Sequence, residues 1–265
     1  MLFAIDVGNS HTVAGIFHNN DLVAHWRLKS DRDRTADELA IRYHALFQLA
    51  GISSEQINGF ILSSVVPSLE AVWISYAEKY YAEQLRCRPI VVSHRTNTGI
   101  TVRTKHPPEV GADRIVNSVA AWEMYHCNLI VVDFGTAITF DCVNNQGEYV
   151  GGTIHPGIGI SLDALAGRTA KLPRVSIDCP PKQIIGTTTV SAIHSGMLYG
   201  FAGLVDRMVD LLSHELDPEG SRQVKVVATG GMARLIQPYT RTITVINPLL
   251  TLEGLQLIYE RNCSG

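Results

Sequence analysis

The chain has 265 residues, 46% of them hydrophobic and 18% charged, enough to bury a sizeable core in one large or two small domains. A net charge of −3 with scattered Lys and Arg argues against nucleic acid as a partner, and no apolar run approaches the roughly 18 residues that a bilayer span requires. Five Cys, at 87, 127, 142, 179 and 263, include no C-x-x-C pair; with no basic signal-like start, the expectation is a cytoplasmic protein without membrane contact, disulfide framework or structural zinc.

The apolar run Leu2 to Ile5 leads into Asp6-Val7-Gly8-Asn9-Ser10-His11-Thr12, and Val13 to Phe17 leads out. A polar cluster, His18-Asn19-Asn20-Asp21, then turns the chain into a return strand ending near Leu28, so the pattern predicts a hairpin. Lys29 to Arg34 reads as a solvated loop. Thr35-Ala36-Asp37-Glu38 has capping-box spacing, and Leu39, Tyr43, Leu46, Phe47 and Ala50 recur at helical intervals until Gly51. Phe60 to Leu62 reads as a buried strand. Ser68 is expected to cap a helix burying Leu69, Val72, Trp73, Tyr76 and Tyr80, an aromatic stripe read as core.

After a strand at Pro89 to Val92 and a polar stretch to Pro108, Glu109-Val110-Gly111-Ala112-Asp113-Arg114 opens a helix through Met124. Asp113 can cap the helix or act as a base. Arg114 is disfavoured by the helix dipole there and is better explained by an anionic ligand. The chain then repeats its opening. Leu129 to Val132 leads into Asp133-Phe134-Gly135-Thr136-Ala137-Ile138-Thr139, with Asp, Gly and Thr at the spacing of the first copy, and a second hairpin follows through Asn144-Asn145-Gln146-Gly147. The repetition predicts two similar α/β domains, 1–116 and 117–265, whose first hairpins face each other across a cleft. In each turn the Gly lets backbone N–H groups approach phosphate oxygens, hydroxyls add donors and Asp attracts a cation.

Tyr149 to Ile160 is glycine-rich and carries His155, read as structural for want of a carboxylate partner; Ser161 is expected to cap a short helix to about Leu165. Gly186-Thr187-Thr188-Thr189 opens the longest helical pattern, about 190–216, whose Gly196, Gly200 and Gly203 suit close helix packing or a subunit interface. Val224 to Ala228 is a strand breaking at Thr229-Gly230-Gly231, a turn able to admit a nucleotide, and Asn247-Pro248 precedes a terminal helix from Leu250 to Arg261.

Asp6-x-Gly8-Asn9-Ser10, Asp133-x-Gly135-Thr136 and Thr229-Gly230-Gly231, in that order, resemble the two phosphate motifs and the adenosine motif of the acetate kinase, sugar kinase, Hsp70 and actin superfamily. Within it, Pro107-x-Glu109-x-Gly111-Ala112-Asp113-Arg114, Gly151-Gly152-x-Ile154-x-Pro156-Gly157, Thr169-Ala170-Lys171-Leu172-Pro173 and Leu250-Thr251-Leu252-Glu253-Gly254-Leu255 resemble the type III pantothenate kinases over nearly the whole chain. The resemblance implies two ribonuclease-H-like (actin-like) domains, a homodimer, and ATP-dependent phosphorylation of pantothenate, with Mg²⁺ and a monovalent cation, K⁺ or NH₄⁺. By matched position it assigns Asp6, Val7, Gly8, Asn9, Ser10, His11, Thr12 and Val13 to the first phosphate loop, with Asp6 near Mg²⁺. It assigns Gly111, Ala112, Asp113 and Arg114 to pantothenate, with Asp113 as proton acceptor, Asp133 to the monovalent cation, Thr136 to ATP and Thr188 to pantothenate. Many members carry Asn or a smaller polar residue in place of His11, and a Tyr lining the pantothenate pocket where Thr104 aligns.

Three other readings stay open on sequence: a kinase for another small alcohol such as a sugar, an actin- or Hsp70-like ATPase switch, and a non-catalytic accessory factor for transcription. Asp113-Arg114 speaks against a switch, which needs no anion-binding residue beside its base.

Overall fold

A computed structural model describes residues 1–177, 181 and 183–263. Cys179 lies outside the described residues. The chain divides into two compact units, Met1–Glu123 with Leu249–Gly265, and Met124–Pro248.

The first unit opens with β1 (Leu2–Val7), β2 (His11–His18) and β3 (Asp21–Lys29), an antiparallel meander. Its second turn places Asn19 at φ 56°, a left-handed conformation that Asn tolerates. β4 (Gly59–Ser64) and β5 (Ile90–Val91) extend the sheet in parallel, giving the order β3-β2-β1-β4-β5. α1 (Ala36–Leu49) carries the expected capping box, with Thr35 accepting from the Glu38 N–H and the Glu38 carboxylate accepting from the Thr35 N–H. α2 (Pro67–Tyr81) starts differently from expectation. Val66 is its N-cap and Pro67 its first residue, while the Ser64 hydroxyl, not that of Ser68, bonds the Val66 backbone. Pro needs no hydrogen-bonded N–H in the first turn, so a side-chain cap is dispensable.

Alternation along β1 and β4 sends Phe3, Ile5, Val7, Phe60 and Leu62 to one face, against Tyr43 and Phe47 of α1 and Trp73 and Tyr76 of α2. Tyr80 departs from the expected core stripe: it is exposed and its hydroxyl bonds Asp37. Leu2, Ala4 and Ile61 go to the other face, against α3 (Ala112–Tyr125) and the terminal helix α7 (Leu250–Cys263). Gly254 lets α7 approach the Val116 carbonyl, where a Cβ has no room. The terminal helix therefore belongs with the first unit rather than with the second half of the sequence. Contrary to the expectation from cysteine spacing, Cys87 and Cys263 are disulfide-bonded, with Cα atoms 6.2 Å apart; residues 176 positions apart carry no local signal of being neighbours.

Between β5 and α3 lies the short β6 (Thr101–Val102). The second unit repeats the first topology. β7 (Leu129–Phe134), β8 (Ala137–Val143) and β9 (Glu148–Pro156) form the meander, and β10 (Lys225–Thr229) and β11 (Val245–Ile246) add in parallel, in the order β11-β10-β7-β8-β9. This is the ribonuclease-H-like arrangement met a second time. Ile130, Val132, Phe134, Ile138 and Phe140 pack one sheet face against Leu198, Phe201 and Val205 of the long α5 (Thr189–Leu216). α4 (Ile158–Arg168) begins three residues before the expected Ser161 cap. Gly157 is its N-cap and its N–H bonds the Thr136 carbonyl at 3.1 Å, where any Cβ would collide with that carbonyl. α6 (Ala233–Ile236) follows the Thr-Gly-Gly turn.

Candidate functional site

The first phosphate-type turn is held by Ser30, a residue from the stretch read as a solvated loop. The Ser30 hydroxyl donates to the Gly8 carbonyl at 2.6 Å and lies 3.0 Å from Thr12 Oγ1, and the Ser30 N–H donates to the Ser10 carbonyl at 3.0 Å. The Gly8 N–H closes the turn on the His11 carbonyl at 3.1 Å, and a Cβ on Gly8 would come within 2.9 Å of that oxygen. Asp6 is half-buried near the C-terminal end of β1, whereas Asn9 and Ser10 are exposed at the tip, with Arg32 reaching Asn9 Oδ1 at 3.3 Å. Partial burial and the charges of Arg27 and Lys29 push the His11 imidazole below its ordinary pKa, and Arg27 Nη2 lies 3.1 Å from its Nδ1. Asp6 pairs with Val13, and Thr12 pairs with Val7. Thr12 consequently shares the face of Val7, opposite to Asp6.

In the second copy the register differs by one residue. Asp133 pairs directly with Thr139, and the Gly135 N–H bonds the Ala137 carbonyl at 3.0 Å. Thr136 is exposed at the tip. On the parallel neighbour β10, Thr229 pairs with Asp133. Gly230 follows at φ +89°, and a Cβ there would lie 2.5 Å from Asp133 Oδ1 and 2.6 Å from the Phe134 carbonyl. The second Asp-Gly turn and the Thr-Gly-Gly turn are therefore one site. Below it, fully buried Asp141 accepts from Thr139 Oγ1 at 2.9 Å and from the Tyr149 hydroxyl at 2.7 Å. His155 has the structural place read for it: its Nδ1 is 2.9 Å from the Pro156 carbonyl and its ring stacks edge-on against Phe201.

Gly111 precedes α3, and its carbonyl accepts from the N–H groups of Arg114 and Ile115. Ala112 is buried in the first turn, and Asp113 and Arg114 are half-buried beside it. Asp113 Oδ1 accepts from the Arg114 N–H at 2.8 Å, and a Cβ on Gly111 would lie 2.6 Å from that same oxygen. Burial raises the Asp113 pKa above the ordinary carboxylate value, opposed by the Arg114 N–H and charge. A helix N-terminus by itself favours the ionised form of an Asp. Burial outweighs the dipole here. The Thr104 hydroxyl is buried and has no hydrogen-bond partner among the described residues. Thr188 is exposed as the N-cap of α5, in a reciprocal box with Ser191.

The fold agrees with what the chain is similar to. A family model described as type III pantothenate kinase matches residues 2–211. A protein of Desulfotalea psychrophila named type III pantothenate kinase is 51% identical over 260 residues, covering 97% of each chain. One of Geotalea uraniireducens with the same name is 47% identical over 262 residues, covering 99% of each. Among solved structures, component A of the Acidaminococcus fermentans (R)-2-hydroxyglutaryl-CoA dehydratase superposes with a TM-score of 0.53 at 14% identity, covering 100% of this chain and 99% of that one. At that identity the likeness is one of fold.

Proposed function

The chain belongs to the type III pantothenate kinase family, and from that premise we infer which of its residues carry the reaction. The reaction is ATP-dependent phosphorylation of pantothenate to 4'-phosphopantothenate, the first step toward coenzyme A. Transfer to a primary alcohol requires the triphosphate charge to be neutralised, the alcohol to be held in line, and a base to take its proton.

Asp113 is the base. The observation that carries this role is the pairing of a glycine without room for a Cβ with a carboxylate fixed by the next residue's N–H, which keeps one oxygen bonded and leaves the carboxyl set at a helix start. Its raised pKa makes it a stronger base than an exposed Asp. Gly111, Ala112, Arg114 and Thr188 contact pantothenate, with Arg114 taking its carboxylate. Residues Asp6 to Val13 cradle phosphate through backbone N–H groups and Thr136 contacts ATP. The donor chemistry fits the implied ions: Asp6 stands near the end of β1 beside Gly8, where a Cβ would come within 2.9 Å of the His11 carbonyl, and Asp133 lies against Gly230, where a Cβ would lie 2.5 Å from its Oδ1. Asp6 would hold Mg²⁺ through water and Asp133 a monovalent cation, K⁺ or NH₄⁺. Bound there, the ions neutralise charge on the transferring phosphoryl group.

The working form is a homodimer located in the cytoplasm. Gly196, Gly200 and Gly203 support the first part, since apart from the surrounding backbone of α5 no described atom approaches within 4 Å of a Cβ built on any of them. For the described residues, no helix is long and apolar enough to cross a membrane. Incubation with ATP, Mg²⁺ and K⁺ over a panel of small alcohols, followed by mass spectrometry, tests the acceptor. Phosphorylation of pantothenate and not of hexoses is expected; the reverse would overturn the acceptor assignment.

A further inference from the structure

Asp141 is used by none of the roles above, yet it is a fully buried carboxylate two residues beyond Thr139. Both of its oxygens accept hydroxyl protons, Oδ1 from Tyr149 and Oδ2 from Thr139. A hydroxyl has one proton, and that of Thr139 is committed to Asp141, so Thr139 Oγ1 can only accept from any further group. Thr139 is half-buried, stands across the hairpin from Asp133, and shares its sheet face, opposite to Ile130, Val132 and Phe140. An oxygen that cannot donate is badly suited to a phosphate oxygen and well suited to a cation. The first turn offers no counterpart, because Thr12 sits on the other face with its hydroxyl against Ser30.

We propose that Thr139 ligates the monovalent cation beside Asp133, and that buried Asp141 is the positioning residue that fixes the Thr139 hydroxyl with its lone pairs toward that cation. The proposal rests on the reading of Asp133 as a monovalent-cation residue. Orientation of a metal ligand by a hydrogen-bonded outer group tunes affinity, and here that outer group is Asp141.

The test compares wild type, Thr139→Val, Thr139→Ser, Asp141→Asn and Asp133→Asn in K⁺ against choline at equal ionic strength. Two quantities are read: the K⁺-dependent rise in unfolding midpoint, and the K⁺ concentration giving half-maximal phosphorylation of pantothenate. Wild type and Thr139→Ser are expected to show the K⁺-specific rise and to agree in half-saturation within about twofold. Thr139→Val should lose the rise, and both it and Asp141→Asn should need about tenfold more K⁺ or beyond. If Asp141 only pins β8 to β9, Thr139→Val would melt earlier in choline but keep the wild-type K⁺ response, and the proposal fails. It fails equally if Thr139→Ser behaves as a null, which decides the matter even should the Val variant not fold. Absence of any K⁺ response in wild type, or its full retention in Asp133→Asn, would instead overturn the underlying reading of Asp133.

Discussion

Thr139 lies directly opposite Asp133 across the second hairpin, whereas Thr12, at the same distance in sequence from Asp6, lies opposite Val7. One extra residue in the first turn puts the two threonines on opposite faces relative to their aspartates. A duplicated sequence motif has thus become two turns with different chemistry, one braced from below by Ser30 and the other by Asp141.

The brace on the first turn is testable by Ser30→Ala. It removes a 2.6 Å bond to the Gly8 carbonyl and the contact to Thr12, each of a kind worth about 1 kcal/mol. Steady-state kinetics should show the KM for ATP raised by up to about tenfold, with the KM for pantothenate little changed.

Asp113→Asn is expected to lower kcat by about two orders of magnitude or more while ATP and pantothenate still bind by calorimetry. Activity near wild type would remove Asp113 from the role of base.

The same substitution should not destabilise the fold at neutral pH. Because burial raises the folded-state pKa of Asp113, its contribution to stability is fully present below the unfolded value and is lost as pH rises through the folded value. Asn removes that loss, so the unfolding midpoint at pH 7 should equal or exceed that of wild type, with the advantage vanishing near pH 4. In wild type the acid limb of kcat/KM should follow the same group and fall at a pH above the ordinary Asp value of about 3.9.

Gly111→Ala is expected to retain the fold and lose at least about tenfold in kcat, because its Cβ would sit 2.6 Å from Asp113 Oδ1 and must displace the carboxylate. Circular dichroism with single-turnover kinetics checks both halves of that statement.

The bridge between Cys87 and Cys263 closes a long loop, so reduction should lower the unfolding free energy by up to about 5 kcal/mol. Urea titrations with and without dithiothreitol measure it, and Cys263→Ser should be insensitive to the reductant.

Features that depend on neighbours in sequence were legible. The hairpins, the capping box at Thr35 and Glu38, the placing of Asp113 and Arg114 in the first turn of α3 and the repeated Asp-Gly turns each follow from local spacing, and the repetition announced two units of one topology. Features that depend on what lies across a strand or beneath a turn were not. Equal Asp-to-Thr spacing concealed a one-residue difference in register. Ser30 looked like part of a solvated loop, and Asp141 like an ordinary strand residue, because their partners become neighbours only on folding. The start of α4 was misplaced for the same reason: Gly157 is dictated by the Thr136 carbonyl above it, a contact no helical pattern encodes.

The most direct measurement of the central claim is ADP release with Mg²⁺ and K⁺ in the presence and absence of pantothenate. A kinase built on these residues should release ADP in step with 4'-phosphopantothenate, and only background ADP when the acceptor is withheld. Equal release without pantothenate would indicate an ATPase switch, and no release under either condition a non-catalytic protein; either result would contradict the account.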